Sequence, residues 1–183
     1  MIDYWTAAGA DPSHPEHEAN FRRTAPYVLQ EQALMATLER LDFDSVLEFG
    51  CGWGRITQLV HDRWPDVPYR AVDLSEERLI SAHARVPGVE FQRSTIAEYD
   101  GKGADLVLAV EVLMHQPPDE VAAAADKLMA LSRGYLVAVD WTADLGDAPI
   151  APWNFRHDYG ALFHGDDIYT LHVGLQAIHV VVP

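Results

Sequence analysis

The chain has 183 residues, 49% hydrophobic and 22% charged, which is the composition of one ordinary globular domain with an adequate core. Its 28 Asp and Glu against 13 Lys and Arg leave a formal charge of −15, so there is no basic stripe to neutralise a phosphate backbone and nucleic acid is excluded as the expected partner. No apolar run reaches the ~18 residues of a bilayer span and no basic-then-apolar leader opens the sequence, so a cytoplasmic protein with no membrane contact is expected.

Residues 1–26 are mixed in character, punctuated by Trp5, Gly9, Pro12 and Pro15, and read as an N-terminal flap that folds over ligand. Asp11 and Ser13 are helix-cap candidates, and Arg22 and Arg23 form a cation pair, read either as solvated or as reaching an anionic group of a ligand. From Pro26 a helical period appears, with Tyr27, Leu34, Leu38 and Leu41 on one face. Ser45 to Phe49 is a short apolar run, expected to be a buried strand, that stops at Gly50, Gly52 and Gly54 before a helix carrying Ile56, Leu59 and Val60. Glycines at such a turn supply backbone angles that other residues resist and let a ligand lie against bare main chain at a helix N-terminus. Cys51, the single cysteine, rules out an internal disulfide and suits a tight turn better than it suits a nucleophile.

Tyr69 to Asp73 reads as a second strand, followed by Leu74 and by Ser75 as the cap of a helix with Glu76 and Glu77 in its first turn. An acidic residue ending this strand offers two acceptor oxygens, enough for both hydroxyls of a ribose. Val89 to Gln92 is a third strand, leading into a turn with Thr95 and Ile96, and Asp105 to Val110 is a fourth, continuously apolar and therefore central. The loop from Glu111 to Pro118 follows, with His115 at its mouth, a residue type whose ordinary pKa suits proton transfer. Pro117 and Pro118 start a helix through Val121, Leu128 and Leu131 that Gly134 is expected to end. Tyr135 to Val139 is a fifth strand. Residues 141–167 are rich in breakers and aromatics and lie where open α/β sheets bind ligands, so they read as an acceptor lid. Within it, Trp141, Trp153, Phe155 and Tyr159 favour an apolar or cationic small molecule. His157 reads as a second proton acceptor, and Asp158 as either a site residue or a helix N-cap. Ile168 to Val173 and Ala177 to Val182, joined around Gly174, can only be an antiparallel hairpin.

The segment Glu48-x-Gly50-x-Gly52-x-Gly54 resembles the first motif of class I S-adenosylmethionine-dependent methyltransferases, whereas a dinucleotide-binding turn would space its glycines Gly-x-Gly-x-x-Gly. The resemblance implies a single α/β domain over residues 1–183. Its sheet would be doubly wound and mostly parallel, of seven strands in the order 3-2-1-4-5-7-6, with helices on both faces and the antiparallel hairpin at the C-terminus. It also implies S-adenosylmethionine as cofactor. Glu48 would act near its methionine end, with Gly50, Cys51, Gly52 and Gly54 packed beneath, while Asp73 and Leu74 meet the ribose and Thr95 and Ile96 the adenine. The acidic residue usual beside the adenine amino group is absent here, which leaves the Thr95 hydroxyl or the backbone to serve. Glu111 takes the place of the fourth motif, where the chain passes the sulfonium.

The expected activity is methyl transfer to an oxygen or nitrogen, less readily a carbon, of a small molecule of secondary metabolism. His115 is the base, His157 the second candidate and Glu111 the orienting partner, and the protein acts as a monomer or homodimer. Three alternatives stay open on the sequence. One is a catalytically silent subunit of the same fold, and another a nicotinamide-dependent oxidoreductase. The third is a metal-assisted transferase drawing on Glu111, His115, His157, His164, Asp166 and Asp167, although no metal-ligand spacing singles those residues out and no metal is expected.

Overall fold

The computed structural model describes residues 2–11, 13–14, 25–141, 151–165 and 167–183. Seven strands form one sheet: β1 (Val46–Phe49), β2 (Tyr69–Asp73), β3 (Glu90–Arg93), β4 (Ala104–Val110), β5 (Ser132–Trp141), β6 (Asp167–Val173) and β7 (Gln176–Val182). Their order is β3-β2-β1-β4-β5-β7-β6, as the sequence resemblance implies. The first five strands pair in parallel, and β7 enters antiparallel to both β5 and β6. Neighbours β1 and β4 belong to halves of the sheet wound in opposite directions, and the crevice at their carboxyl ends is where such sheets bind ligands.

Strand β1 is buried at all four positions because it lies inside the sheet with both faces covered. Val46 faces the side packed by α2 (Ala25–Leu38), α3 (Arg55–Arg63) and α4 (Glu76–Arg85), together with Leu34, Ile56, Val60 and Leu79. Leu47 and Phe49 face α5 (Val121–Leu131) and the short α6 (Tyr159–Leu162), among Leu113, Leu128 and Phe163. Glu48 shares the face of Val46, so a carboxylate is buried on the apolar side of the central strand.

Two sequence expectations are corrected. The helical face beginning at Tyr27 stops at Leu38, and Leu41 packs on the core from the turn beyond it, where its N–H donates to the Leu38 carbonyl. Gly134 does not end α5: that helix gives way at Ser132 directly to β5, and Gly134 lies inside the strand. The register between β4 and β5 slips from Ala104↔Ser132 to Leu106↔Tyr135, one extra residue on β5, and a side chain at Gly134 would press on the Asp105 carbonyl. The N-terminal arm contains α1 (Ile2–Ala10). It packs on α4 so closely that Gly9 has no room for a side chain over Ser75. Arg22, Arg23, Pro12, Pro15 and Asp166 lie outside the described residues, as do residues 142–150 of the expected lid.

Candidate active site

The glycine turn after β1 is built from main-chain hydrogen bonds. The Gly50 and Cys51 amides donate to the Val72 carbonyl at 2.7 and 3.2 Å, and the Gly54 amide donates to the Cys51 carbonyl at 2.9 Å. Gly50, Gly52 and Gly54 all have positive φ, which explains the residue type at each. Gly54 does more, because a Cβ there would press within 3.2 Å of Ala82, so the glycine also sets how closely α3 approaches α4.

Asp73, buried at the end of β2, ties this turn to the next. Its Oδ2 accepts from the Gly52 amide at 2.8 Å and its Oδ1 from the Ser75 amide at 2.9 Å. Burial pushes its pKa up, while those amides and the Arg78 guanidinium pull it back. Ser75 in turn caps α4 through the Arg78 amide, as its place after the strand predicts.

Glu48 is fully enclosed below the turn. Its Oε2 accepts from the Thr57 hydroxyl at 2.5 Å and from the Tyr69 hydroxyl at 2.8 Å, and burial raises its pKa from 4.5 to about 7 in spite of both donors. The Cys51 thiol is also buried and pushed well up, the state of an inert cysteine.

Two cavities meet in front of these residues. The larger, about 730 Å³, runs from Thr95, Ile96 and Glu98 past Leu74 and Asp73 to Gly50. The smaller, about 180 Å³, is lined by Glu48, Cys51, Gly52, Trp53 and Arg55 on one side and by Met114, Trp141 and Trp153 on the other. The Thr95 hydroxyl is engaged locally, donating to Glu98 Oε2 at 2.9 Å and accepting the Glu98 amide at 3.2 Å. That pairing places a carboxylate on the cavity rim three residues beyond the position where the sequence lacks one.

Glu111, at the end of β4, lines both cavities and has φ 58, the one positive φ of a non-glycine among the described residues. Such a conformation typically costs about 1 to 3 kcal/mol and persists where surrounding contacts over-determine it. Its amide donates to the Val139 carbonyl at 2.6 Å.

His115 also lines both cavities, at the end of a 3-10 turn over Leu113–His115 that Asp140 anchors by accepting the Met114 amide at 3.0 Å. Its Nδ1 faces the Trp153 carbonyl at 3.2 Å, a partner that can only accept, so the ring proton sits on Nδ1 and Nε2 keeps its lone pair. Burial lowers the pKa of His115 to about 4, well below the near-neutral value expected from sequence.

His157 lines neither cavity. Its Nε2 lies 3.1 Å from the Gln116 carbonyl, and its ring is edge-on to Tyr159, so it holds the loop that follows His115. Asp158 caps α6 by accepting the Ala161 amide at 3.2 Å. Of the four aromatics expected over an acceptor, Trp141 and Trp153 line the smaller cavity, whereas Tyr159 is buried beneath the sheet against His179 and Phe155 lines neither cavity.

Sequence reasoning missed the contribution of α1 and α4. Trp5 lies over His115 with ring centroids 4.4 Å apart, and the Arg78 guanidinium lies over the faces of both Trp5 and Trp53, at 5.0 and 5.3 Å. Tyr4 stacks on Trp153 at 4.4 Å. An adjacent Tyr-Trp pair in an otherwise unassigned arm was the available signal. Among the described residues, no three His, Cys, Asp or Glu side chains converge as metal ligands, and no helix is long and apolar enough to cross a membrane.

A family model described as a methyltransferase domain matches residues 46–134. The trans-aconitate 2-methyltransferase of Afipia carboxidovorans is 26% identical over 112 residues, covering 61% of this chain and 44% of that protein. The enzyme of the same name from an Azoarcus species is 31% identical over 107 residues, or 58% and 42% of the two chains. The chain thus spans under half the length of these curated relatives. Among solved structures, magnesium protoporphyrin IX methyltransferase from Synechocystis PCC 6803 with bound S-adenosylhomocysteine superposes with a TM-score of 0.73 at 18% identity, covering 99% of this chain and 97% of that one. The methyltransferase domain of bacterial CtHen1 superposes at 0.72 with 15% identity, covering 86% and 98%.

Proposed function

We propose that this chain is a class I, Rossmann-like methyltransferase that transfers a methyl group from S-adenosylmethionine to an oxygen or nitrogen atom of a small molecule. The carrying observation is the Asp73 carboxylate at the junction of two turns. Its Oδ2 and Oδ1 accept from the Gly52 and Ser75 amides, and the same carboxylate lines the larger cavity, where it offers acceptor oxygens to two adjacent hydroxyls. The residues present fit the cofactor: the glycine turn offers bare main chain, Leu74 and Ile96 give apolar walls, and Thr95 with Glu98 supplies polar groups at the far end.

When bound, S-adenosylmethionine supplies a methyl group already activated by a sulfonium, so the protein's task is to align an acceptor and exclude water. Trp5, Met114, Trp141 and Trp153 line the space beside His115, opposite the polar groups of Glu48, Arg55 and Glu111. His115, neutral at physiological pH, receives at Nε2 the proton that a hydroxyl acceptor loses as it is methylated. Glu111 orients the acceptor, and His157 and Asp140 hold the two ends of the loop that presents His115.

The aromatic lining supports an apolar or cationic acceptor, and the relatives' names, for trans-aconitate and magnesium protoporphyrin IX, support small molecules as the class. A role in secondary metabolism, in the cytoplasm and as a monomer or homodimer, completes the proposal. The charge of −15 supports the absence of a nucleic-acid partner.

The test is calorimetric titration with S-adenosylmethionine and S-adenosylhomocysteine. Wild type should bind both, and Asp73→Ala should weaken both by about 1 to 3 kcal/mol, the usual cost of losing charge-assisted hydrogen bonds. Wild-type protein that binds neither would refute the reading.

A further inference from the structure

Asn154 lines the smaller cavity next to Trp153 and is only 9% exposed. Its side-chain carbonyl oxygen, Oδ1, is enclosed and accepts no hydrogen bond. Buried polar groups are nearly always paired, so an orphaned carbonyl in the wall of a site calls for a physical reason.

The segment that carries Asn154 is fixed against the loop that carries His115. The Asn154 amide donates to the Ala151 carbonyl at 2.9 Å, and the Phe155 amide donates to the Met114 carbonyl at 2.7 Å. Between those two bonds the Trp153 carbonyl faces His115 Nδ1 at 3.2 Å. Residues 153–155 thus run alongside Met114 and His115, and the Asn154 side chain falls beside the His115 ring.

Donors and acceptors around that ring match in one protonation state and not in the other. Neutral His115 has a single N–H, at Nδ1, and the Trp153 carbonyl takes it. The second carbonyl beside the ring, Asn154 Oδ1, is then the one left without a donor. An imidazolium has two N–H groups, one for each carbonyl. The electrostatics divide in the same way. Burial and the field of the Arg78 guanidinium oppose a charged ring, whereas the Trp153 carbonyl and the Asn154 side chain favour one. Trp5 covers the ring with centroids 4.4 Å apart, and Glu111 lines both cavities with it.

We propose that Asn154 is a positioning residue for the base: its side-chain carbonyl accepts the second N–H of His115 once the ring has taken the acceptor's proton. The inference rests on the reading of His115 given above. As a hydroxyl acceptor is methylated, an oxygen lone pair forms the bond to the methyl carbon and the C–S electron pair stays on sulfur. The O–H bond breaks with its electron pair left on oxygen, and the proton bonds to His115 Nε2. When the methylated product leaves, a buried N–H on a charged ring remains. Asn154 Oδ1 receives it, so the proton is held by two charge-assisted hydrogen bonds until solvent takes it.

The experiment follows the ring-nitrogen NMR shifts of His115 with pH in the full chain, for wild type, Asn154→Leu and Asn154→Asp. Loss of the signal in His115→Gln assigns it. Asn154→Leu removes the carbonyl at similar size and should weaken proton binding at His115 by roughly tenfold, the usual worth of one hydrogen bond to a charged group. Asn154→Asp puts an anion in the same place and should strengthen it by at least about tenfold. Wild-type His115, with its pKa lowered to about 4, then stays neutral down to about pH 5, while the aspartate variant protonates above it. That contrast carries the test should Asn154→Leu fail to fold. Proton affinities within about twofold of wild type, or shifts in the same direction in both variants, would overturn the inference. The titration involves no cofactor, so it fails separately from the cofactor reading. A wild type that binds neither S-adenosylmethionine nor S-adenosylhomocysteine overturns that reading, and the role of the imidazolium with it.

Discussion

Glu48 offers the sharpest quantitative test of the site. Its carboxyl is enclosed below the glycine turn with its pKa raised from 4.5 to about 7, the dominant cause being burial. A carboxyl with a raised folded-state pKa contributes stability that is fully present below its unfolded value and is lost as pH rises through its folded value. At about 1.4 kcal/mol per tenfold change in proton affinity, the displacement amounts to roughly 3 kcal/mol lost between pH 5 and pH 8.5. Glu48→Gln should abolish that loss, because a glutamine carbonyl can accept from Thr57 and Tyr69 as Oε2 does and carries no charge to bury. Urea unfolding of both proteins at pH 5 and pH 8.5 is the assay. The variant should be near wild type at pH 5 and more stable by roughly 2 to 3 kcal/mol at pH 8.5, and other titrating groups cancel in the difference. Parallel pH profiles would refute the account of Glu48 as a buried, partly protonated carboxyl. If the cofactor ammonium approaches Glu48, wild-type affinity for S-adenosylmethionine should also rise through pH 7, and that rise should vanish in Glu48→Gln.

Gly54→Ala should destabilise the fold by about 1 to 3 kcal/mol, since it puts a side chain at φ 84 and drives it against Ala82; an unchanged urea midpoint would refute the role given to this glycine in seating α3 on α4. Burial lowers the pKa of His115 and His179 from 6.5 to about 4 in each case, so the unfolded chain binds more protons between those values. Their contribution is complete above pH 6.5 and is lost as pH falls toward 4. Thermal midpoints followed from pH 7 to pH 4 should therefore fall less steeply in His179→Gln than in wild type, and an identical slope would refute the assignment.

The sheet was legible because its signals are local. Strands β1, β4 and β5 announce themselves as short apolar runs bounded by turn residues, and the two terminal runs are separated too briefly for a crossover connection. The errors fell where tertiary pairing decides. Leu41 continues the helical period of α2, yet the chain turns after Leu38 to deliver Ser45 to the sheet, and its hydroxyl bonds Asp105 at 2.7 Å. Gly134 looks like a helix stop, but β4 captures the chain two residues earlier and uses the glycine at a bulge. Local propensity has no knowledge of the partner strand.

The site divides in the same way. Asp73 was readable because its partners, the Gly52 and Ser75 amides, follow from two turns that the sequence itself marks. His115 was found by position, but not its state: burial beside Trp5 lowers its pKa and the Trp153 carbonyl sets its tautomer, and both partners belong to distant segments. The hydrogen bonds that hold Glu111 lie furthest from reach: Gln176, which donates to its Oε1 at 2.7 Å, is 65 residues away, and Gln30, which donates to Gln176, is 146 residues from it. Nothing in a glutamine on a surface-like helix or at the start of an edge hairpin marks it as a ligand to a strained glutamate.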